Sequence, residues 1–165
     1  MVEEHRIILE AKDLKVVRGG TRLLDVPTLQ VRKGEVLALI GPNGAGKTTL
    51  LLTLSYLMKP VSGEIFFDGL KVGAEYSLSN YRRKLAMVFQ EALLFDTTVY
   101  RNVASGLKFR GVGRREIEDR VIEQLELFGI CHLKDRSART LSGGEAQRTS
   151  LARAFATNPE VLFLD

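Results

Sequence analysis

Residues 36–48 constrain the fold of this chain more than any other stretch. Val36-Leu37-Ala38-Leu39-Ile40 is a short continuous apolar run, the pattern of a strand buried on both faces. Gly41-Pro42-Asn43-Gly44-Ala45-Gly46-Lys47-Thr48 follows, and a helix is expected from about Lys47 to Met58. Strand, glycine-rich turn and helix in this order match the G-x-x-x-x-G-K-[ST] loop that cradles phosphate. The glycines let the backbone wrap closely and turn its N–H groups inward. The helix offers its positive N-terminal end to an anion. Lys47 is expected to reach the β- and γ-phosphates of a nucleotide, and the Thr48 hydroxyl to ligate Mg²⁺.

The rest of the chain alternates between strand and helix. Residues 6–17 and 22–32 read as strands, separated by Gly19-Gly20. Ile65-Phe66-Phe67 enters a turn at Asp68-Gly69, and Leu85 to Phe89 is another buried strand. Residues 98–130 read as helical. Ile117, Val121, Ile122, Leu125 and Phe128 share one face at helical spacing, an ordinary core-facing side. A helix over Gly143–Ala156 and a last buried strand over Val161–Leu164 complete the pattern. This predicts an α/β core around a mostly parallel sheet, with the helical middle inserted between two core strands.

Composition excludes several classes. With 45% hydrophobic and 27% charged residues among 165, the chain can bury a core and is neither disordered nor collagenous. It contains no run of eighteen apolar residues, and Met1 to Arg6 carries no secretory h-region. The single cysteine, Cys131, cannot form an internal disulfide and reads as a small buried residue, consistent with a cytoplasmic home. The net charge of +4 suits anionic partners without selecting one.

A phosphate loop alone does not separate kinases, GTPases, recombinases and transport ATPases. Leu141-Ser142-Gly143-Gly144-Glu145 is more discriminating: it opens a helix and is followed by Gln147-Arg148. Ser-Gly-Gly at a helix start is a second anion site, with unpaired N–H groups and a hydroxyl. Ser142 and Glu145 also hold the capping-box positions, so capping and phosphate binding are both expected there. The sequence resembles the ATP-binding cassette (ABC) ATPases in four places, in the family's order. These are the Walker A loop Gly41–Thr48, a Q-loop residue at Gln90, the signature Leu141–Glu145, and a Walker B pattern at Val161-Leu162-Phe163-Leu164-Asp165.

The resemblance implies a P-loop NTPase core with an N-terminal antiparallel β subdomain and an inserted α-helical subdomain. One nucleotide-binding domain covers 1–165, with its core and β subdomain at about 1–90 and 157–165. The helical subdomain, with the signature, lies at about 91–156. It implies ATP and Mg²⁺ as cofactors, held by Gly41, Pro42, Asn43, Gly44, Ala45, Gly46, Lys47, Thr48 and Thr49. Thr49 would hold the α-phosphate. Thr48, Gln90 and Asp165 would serve the metal, with Gln90 sensing the attacking water. Leu141, Ser142, Gly143, Gly144 and Glu145 would face the ATP of a second cassette, most simply in a homodimer.

The chain departs from the family in two respects. Residues 1–55 contain no Phe, Tyr or Trp to stack on adenine. Arg18 stands near the expected place, and a guanidinium can stack on a base. The family's general-base glutamate, D-loop, switch histidine and last sheet strands would all follow Asp165. The chain is therefore expected to be a C-terminally truncated cassette with little ATPase activity of its own. His5 and His132 are out of place for the switch and read as structural.

With no membrane segment of its own, such an ATPase would power transmembrane permease subunits. It would lie at the inner face of the cell membrane and serve a substrate-binding protein indirectly, as in prokaryotic importers. Leu94, Phe95 and Tyr100 are expected to form an exposed docking site for the permease. The phrase Leu94-Phe95-Asp96-Thr97-Thr98-Val99 is similar to ATPases of tungstate-type oxyanion importers. The rival class is a soluble ribosome-associated ABC factor. Nucleic acid is not expected as a partner, because Arg82-Arg83-Lys84 and Arg114-Arg115 read as solvated faces.

Overall fold

The computed structural model describes residues 6–165. It divides into two compact units, one up to Arg82 and one from Arg83 to Asp165. The first unit holds strands β1 (Ile7–Arg18) and β2 (Thr21–Arg32), helix α1 (Lys47–Leu54), and strands β3 (Ser62–Phe67) and β4 (Leu70–Lys71). Helix α2 (Leu78–Lys84) crosses the boundary between the units. The second unit continues with β5 (Leu85–Val88), α3 (Val99–Phe109), α4 (Arg114–Leu127), α5 (Gly143–Ala156) and β6 (Val161–Leu164).

The four strands of the first unit form an antiparallel sheet in the order β2-β1-β3-β4. Its buried face shows how the sequence sets the register. Leu9 and Ala11 are buried, and then the parity changes to Leu14 and Val16. A one-residue insertion would turn every later side chain to the wrong face unless the strand bulged. The pairing of β1 with β3 does shift between Lys12 and Lys15, and Asp13 stands at φ 49°. Gly63 makes this possible, because a Cβ there would meet the Asp13 carbonyl oxygen at 2.5 Å.

The expected strand at 36–40 is not formed: these residues adopt no strand, and Val36 and Ile40 are each 95% exposed. An apolar run becomes a buried strand only when neighbours take its backbone hydrogen bonds. None of the described strands pairs with this one.

The predicted antiparallel β subdomain and the helical insertion are both present. In the second unit β5 and β6 pair in parallel, from Leu85↔Val161 to Val88↔Leu164. The chain between them forms α3, α4 and α5. Their apolar faces bury Val99, Val103, Leu107, Ile117, Val121, Leu125 and Ala152 in one cluster. The helical stripe read from sequence faces this core, with Ile122 and Phe128 packed at its margin. Cys131, expected to be buried, is only half-buried at the same margin, in the short turn Cys131–Leu133. Among the described residues no helix is long and apolar enough to cross a membrane.

Candidate functional site

In the first unit, the loop Gly41–Gly46 leads into α1. Gly46 is its N-cap at φ 90°, and no side chain caps the helix. A helix of this kind leaves its first N–H groups without internal partners, and the first turn of α1 holds no acidic residue to compete for them. The Lys47 ammonium folds back and donates to the carbonyls of Gly41 and Pro42, each at 2.8 Å. Ala45 N–H donates to Pro42 O at 3.2 Å and closes the turn. Glycine suits position 46 on two counts, its φ of 90° and the 3.0 Å at which a Cβ would sit from Leu23 O on β2. At the far end of α1, the buried Tyr81 hydroxyl donates to Leu54 O at 2.7 Å. Burial pushes that phenol far above its ordinary range. Arg82 donates to Tyr56 O at 2.9 Å. Residues of α2 thus fix the C-terminal end of the helix whose N-terminus carries the loop.

In the second unit the signature residues open α5. The expected capping box is present. Glu145 N–H donates to Ser142 Oγ at 3.4 Å, and Ser142 N–H donates to Glu145 Oε2 at 2.7 Å. The Ser142 hydroxyl donates to the same carboxylate at 2.8 Å. Hydrogen bonding from the Ser142 backbone, then from its hydroxyl, holds the Glu145 carboxyl below the usual carboxylate range. Gly143 and Gly144 are exposed, and a Cβ on either would meet nothing within 4 Å.

Gln90 follows β5, and Asp165 follows β6. Because these strands are parallel neighbours in register, both residues leave the sheet at the same edge. Asp165 N–H donates to Val88 O at 3.0 Å. Gln147 on α5 donates to Phe89 O at 3.2 Å. The second unit therefore ties the backbone just before Gln90 to Asp165 and to the helix opened by the signature.

A family model described as ABC transporter matches residues 24–165. The chain belongs to the ABC transporter family. A tungstate uptake system ATP-binding protein, TupC of Peptoclostridium acidaminophilum, is 40% identical over 95% of this chain and 71% of that protein. A phosphate import ATP-binding protein, PstB 2 of Natronomonas pharaonis, is 44% identical over 88% of this chain. The chain spans about half of that relative's length, 55%. The solved structure of cbiO1 from Clostridium perfringens, part of the ABC transporter complex cbiONQ, superposes with a TM-score of 0.83. It is 34% identical, and the match covers 97% of this chain and 65% of that one. Other relatives are named for methionine and cobalt import.

Within this ABC chain the remaining residues singled out from sequence fall as follows. Arg18 is exposed at the end of β1, paired with Thr21 across the Gly19-Gly20 turn. His132 is exposed, and His5 lies outside the described residues. Thr49 is half-buried on α1, and its carbonyl accepts from Thr53 Oγ1 at 2.6 Å. Within residues 91–100 the exposed large apolar residues are Leu93 (57%) and Phe95 (51%). Leu94 is half-buried instead, and Tyr100 packs against the helical core. Among the described residues no cluster of His, Cys, Asp and Glu could hold a metal by itself.

Asn102 organises the segment after Gln90, and the sequence does not mark it for that role. Asn102 is fully buried, and its carboxamide pairs with both the N–H and the C=O of Phe95. Oδ1 accepts from Phe95 N–H at 2.8 Å, and Nδ2 donates to Phe95 O and Thr98 O at 3.0 Å each. Only a side chain with donor and acceptor on one planar group can do this. The available clue was an Asn at helical spacing from Val99 and next to Val103, on the apolar side of the helix. Residues 97–100 are further tied to 134–138, by Val99 N–H to Arg136 O at 3.0 Å and Ala138 N–H to Thr97 O at 2.9 Å. The segment after Gln90 is thereby held against the one that leads into the signature.

Proposed function

We propose that this chain is the nucleotide-binding part of an ATP-hydrolysing subunit that powers an ABC importer. The observation that carries the reading is the phosphate loop: a helix N-terminus free of side-chain caps and of acidic neighbours, with an ammonium beside it. The fit to a triphosphate rests on that donor set. Backbone N–H groups and Lys47 oppose anionic oxygens, and Gly46 lets the loop lie close against β2, where a Cβ would meet Leu23 O. Lys47 would exchange its two loop carbonyls for phosphate oxygens. Thr49 would take the α-phosphate.

Mg²⁺, when bound, would supply charge neutralisation on the phosphates. Oxygen donors suit so hard a cation, and Thr48, Gln90 and Asp165 are the donors proposed. Ser142, Gly143 and Gly144 would meet the nucleotide of a second copy. There the Ser142 hydroxyl must turn from Glu145 to donate to phosphate. Arg18 would stack on the base. Leu93 and Phe95, exposed after Gln90, would meet the permease at the inner face of the membrane.

An oxyanion cargo of the tungstate type is supported by the phrase at residues 94–99 and by the tungstate and phosphate relatives. The test is binding of a fluorescent ATP analogue, with and without Mg²⁺, by the wild-type chain and Lys47→Ala. Tight binding lost in the variant supports the reading; equal binding by both refutes it. For cargo, ATP hydrolysis by the assembled transporter should respond to tungstate with its binding protein, and a response only to methionine or cobalt would refute the oxyanion assignment.

A further inference from the structure

We propose that Gln147 is a positioning residue, which fixes the backbone that presents Gln90 and links it to the signature helix. The proposal rests on the reading of Gln90 as a residue of the Mg²⁺-nucleotide site.

Successive carbonyls of an extended strand point to opposite sides. At the exit of β5 both sides are occupied. Val88 O accepts from Asp165 N–H at 3.0 Å, on the side of β6. The next carbonyl, Phe89 O, accepts from Gln147 Nε2 at 3.2 Å, from α5. Gln90 is the next residue. The backbone is therefore held by the proposed Walker B residue and by the signature helix immediately before the side chain that is to meet the metal. Gln147 lies three residues beyond Gly144, about one helical turn along α5, and both residues belong to that one helix.

A neutral carboxamide suits this half-buried place. It donates to a carbonyl without the desolvation cost that a lysine or arginine would carry. A movement of the signature helix is thus passed to the Gln90 backbone through one hydrogen bond. The site proposed for one nucleotide is coupled in this way to the helix proposed to face the other.

The test uses Gln147→Met, which keeps length and volume and removes the donor. The readout is the Mg²⁺ concentration giving half-maximal binding of a fluorescent ATP analogue. A single neutral hydrogen bond supports a rise in the midpoint of about three- to tenfold. Gln90→Ala should raise it similarly, and adding Gln147→Met to Gln90→Ala should change it by less than about twofold, because the two act as one unit. Arg110→Met is the control for mere loosening. Arg110 donates to Thr157 O at 2.7 Å and to Leu85 O at 3.4 Å, at the opposite end of β5. That variant should lose stability and leave the midpoint in place.

An unchanged midpoint in Gln147→Met, an equal further rise in the Gln90→Ala background, or the same rise in Arg110→Met would each overturn the proposal. Exchange of the Gln147 carboxamide protons in the wild-type chain gives a readout without a variant. Slowed exchange supports the bond, and exchange at the rate of a free glutamine overturns it. A wild-type chain that binds no nucleotide would overturn the underlying reading instead, while the exchange rate would still judge the bond.

Discussion

The glycines of the phosphate loop separate two costs that sequence alone cannot distinguish. Gly44 and Gly46 stand at φ 81° and 90°. An alanine at either would carry about 1–2 kcal/mol for an L residue at positive φ. They differ in what the new methyl meets. At position 44 there is nothing within 4 Å; at position 46 there is Leu23 O at 3.0 Å and Leu24 Cδ1 at 3.6 Å. Leu23 O belongs to the backbone of β2 and cannot swing aside as a side chain would, so α1 or β2 must shift. Overpacking of this kind costs about 1–3 kcal/mol. Gly46→Ala is therefore expected to destabilise the first unit by about 2–5 kcal/mol, the sum of the two terms, and Gly44→Ala by about 1–2. Urea denaturation followed by tyrosine fluorescence suits the measurement. The chain has no tryptophan, and Tyr56, Tyr76 and Tyr81, three of its four tyrosines, lie in this unit. Nucleotide affinity should fall further in Gly46→Ala than in Gly44→Ala. Equal destabilisation by the two variants would refute the contact argument and leave backbone conformation as the whole effect.

Three further outcomes follow from the same structure. Tyr81→Phe removes the donor to Leu54 O, beside the Tyr56 and Phe67 rings that contact Tyr81, and should cost about 1–3 kcal/mol in urea denaturation; a neutral result would mean that the freed carbonyl finds another partner. Gly144→Ala meets no atoms of its own chain and gains helix propensity, so stability should stay level or rise by up to about 1 kcal/mol. ATP-dependent association of two copies should nevertheless fall, and unchanged association would remove the glycine from the proposed nucleotide contact. The Glu145 carboxyl should titrate by carbon NMR below an ordinary glutamate, and Ser142→Ala should move it upward. Because its folded pKa is depressed, the stability that ionisation adds is present above the ordinary glutamate range and is lost as pH falls through the lowered value. A Glu145 that titrates as an ordinary glutamate would refute the capping geometry.

The parts of the site that could be read directly are those whose chemistry is local. The loop at 41–48 needs only glycines, a lysine and a hydroxyl at fixed spacing. The capping box at Ser142 needs only two residues one turn apart. Helix α5 and strand β6 were predicted at their observed bounds, because the apolar pattern and the cap agree. Helix α1 ends at Leu54, short of the predicted Met58, where Tyr56 takes positive φ and Pro60 follows. Helix α2 was not predicted, since Leu78–Lys84 offers only Tyr81 as a buried residue. Asn102, Tyr81 and Gln147 were legible as residues but not as organisers. Each bonds to a backbone group, and for Tyr81 and Gln147 that group lies 27 and 58 positions away.

The sequence by itself determined the family and the order of its motifs, and it supplies the chemistry proposed for each, because those depend on residue type at short spacing. It also proposed a strand at 36–40 from its apolar run. Only the tertiary structure decided that this run pairs with none of the described strands, that the parity change in β1 is absorbed by a bulge over Gly63, and that the backbone just before Gln90 is bonded to both Asp165 and the signature helix. A strand needs a neighbour and a coupled site needs a shared contact, and both are properties of the folded chain that no local pattern contains.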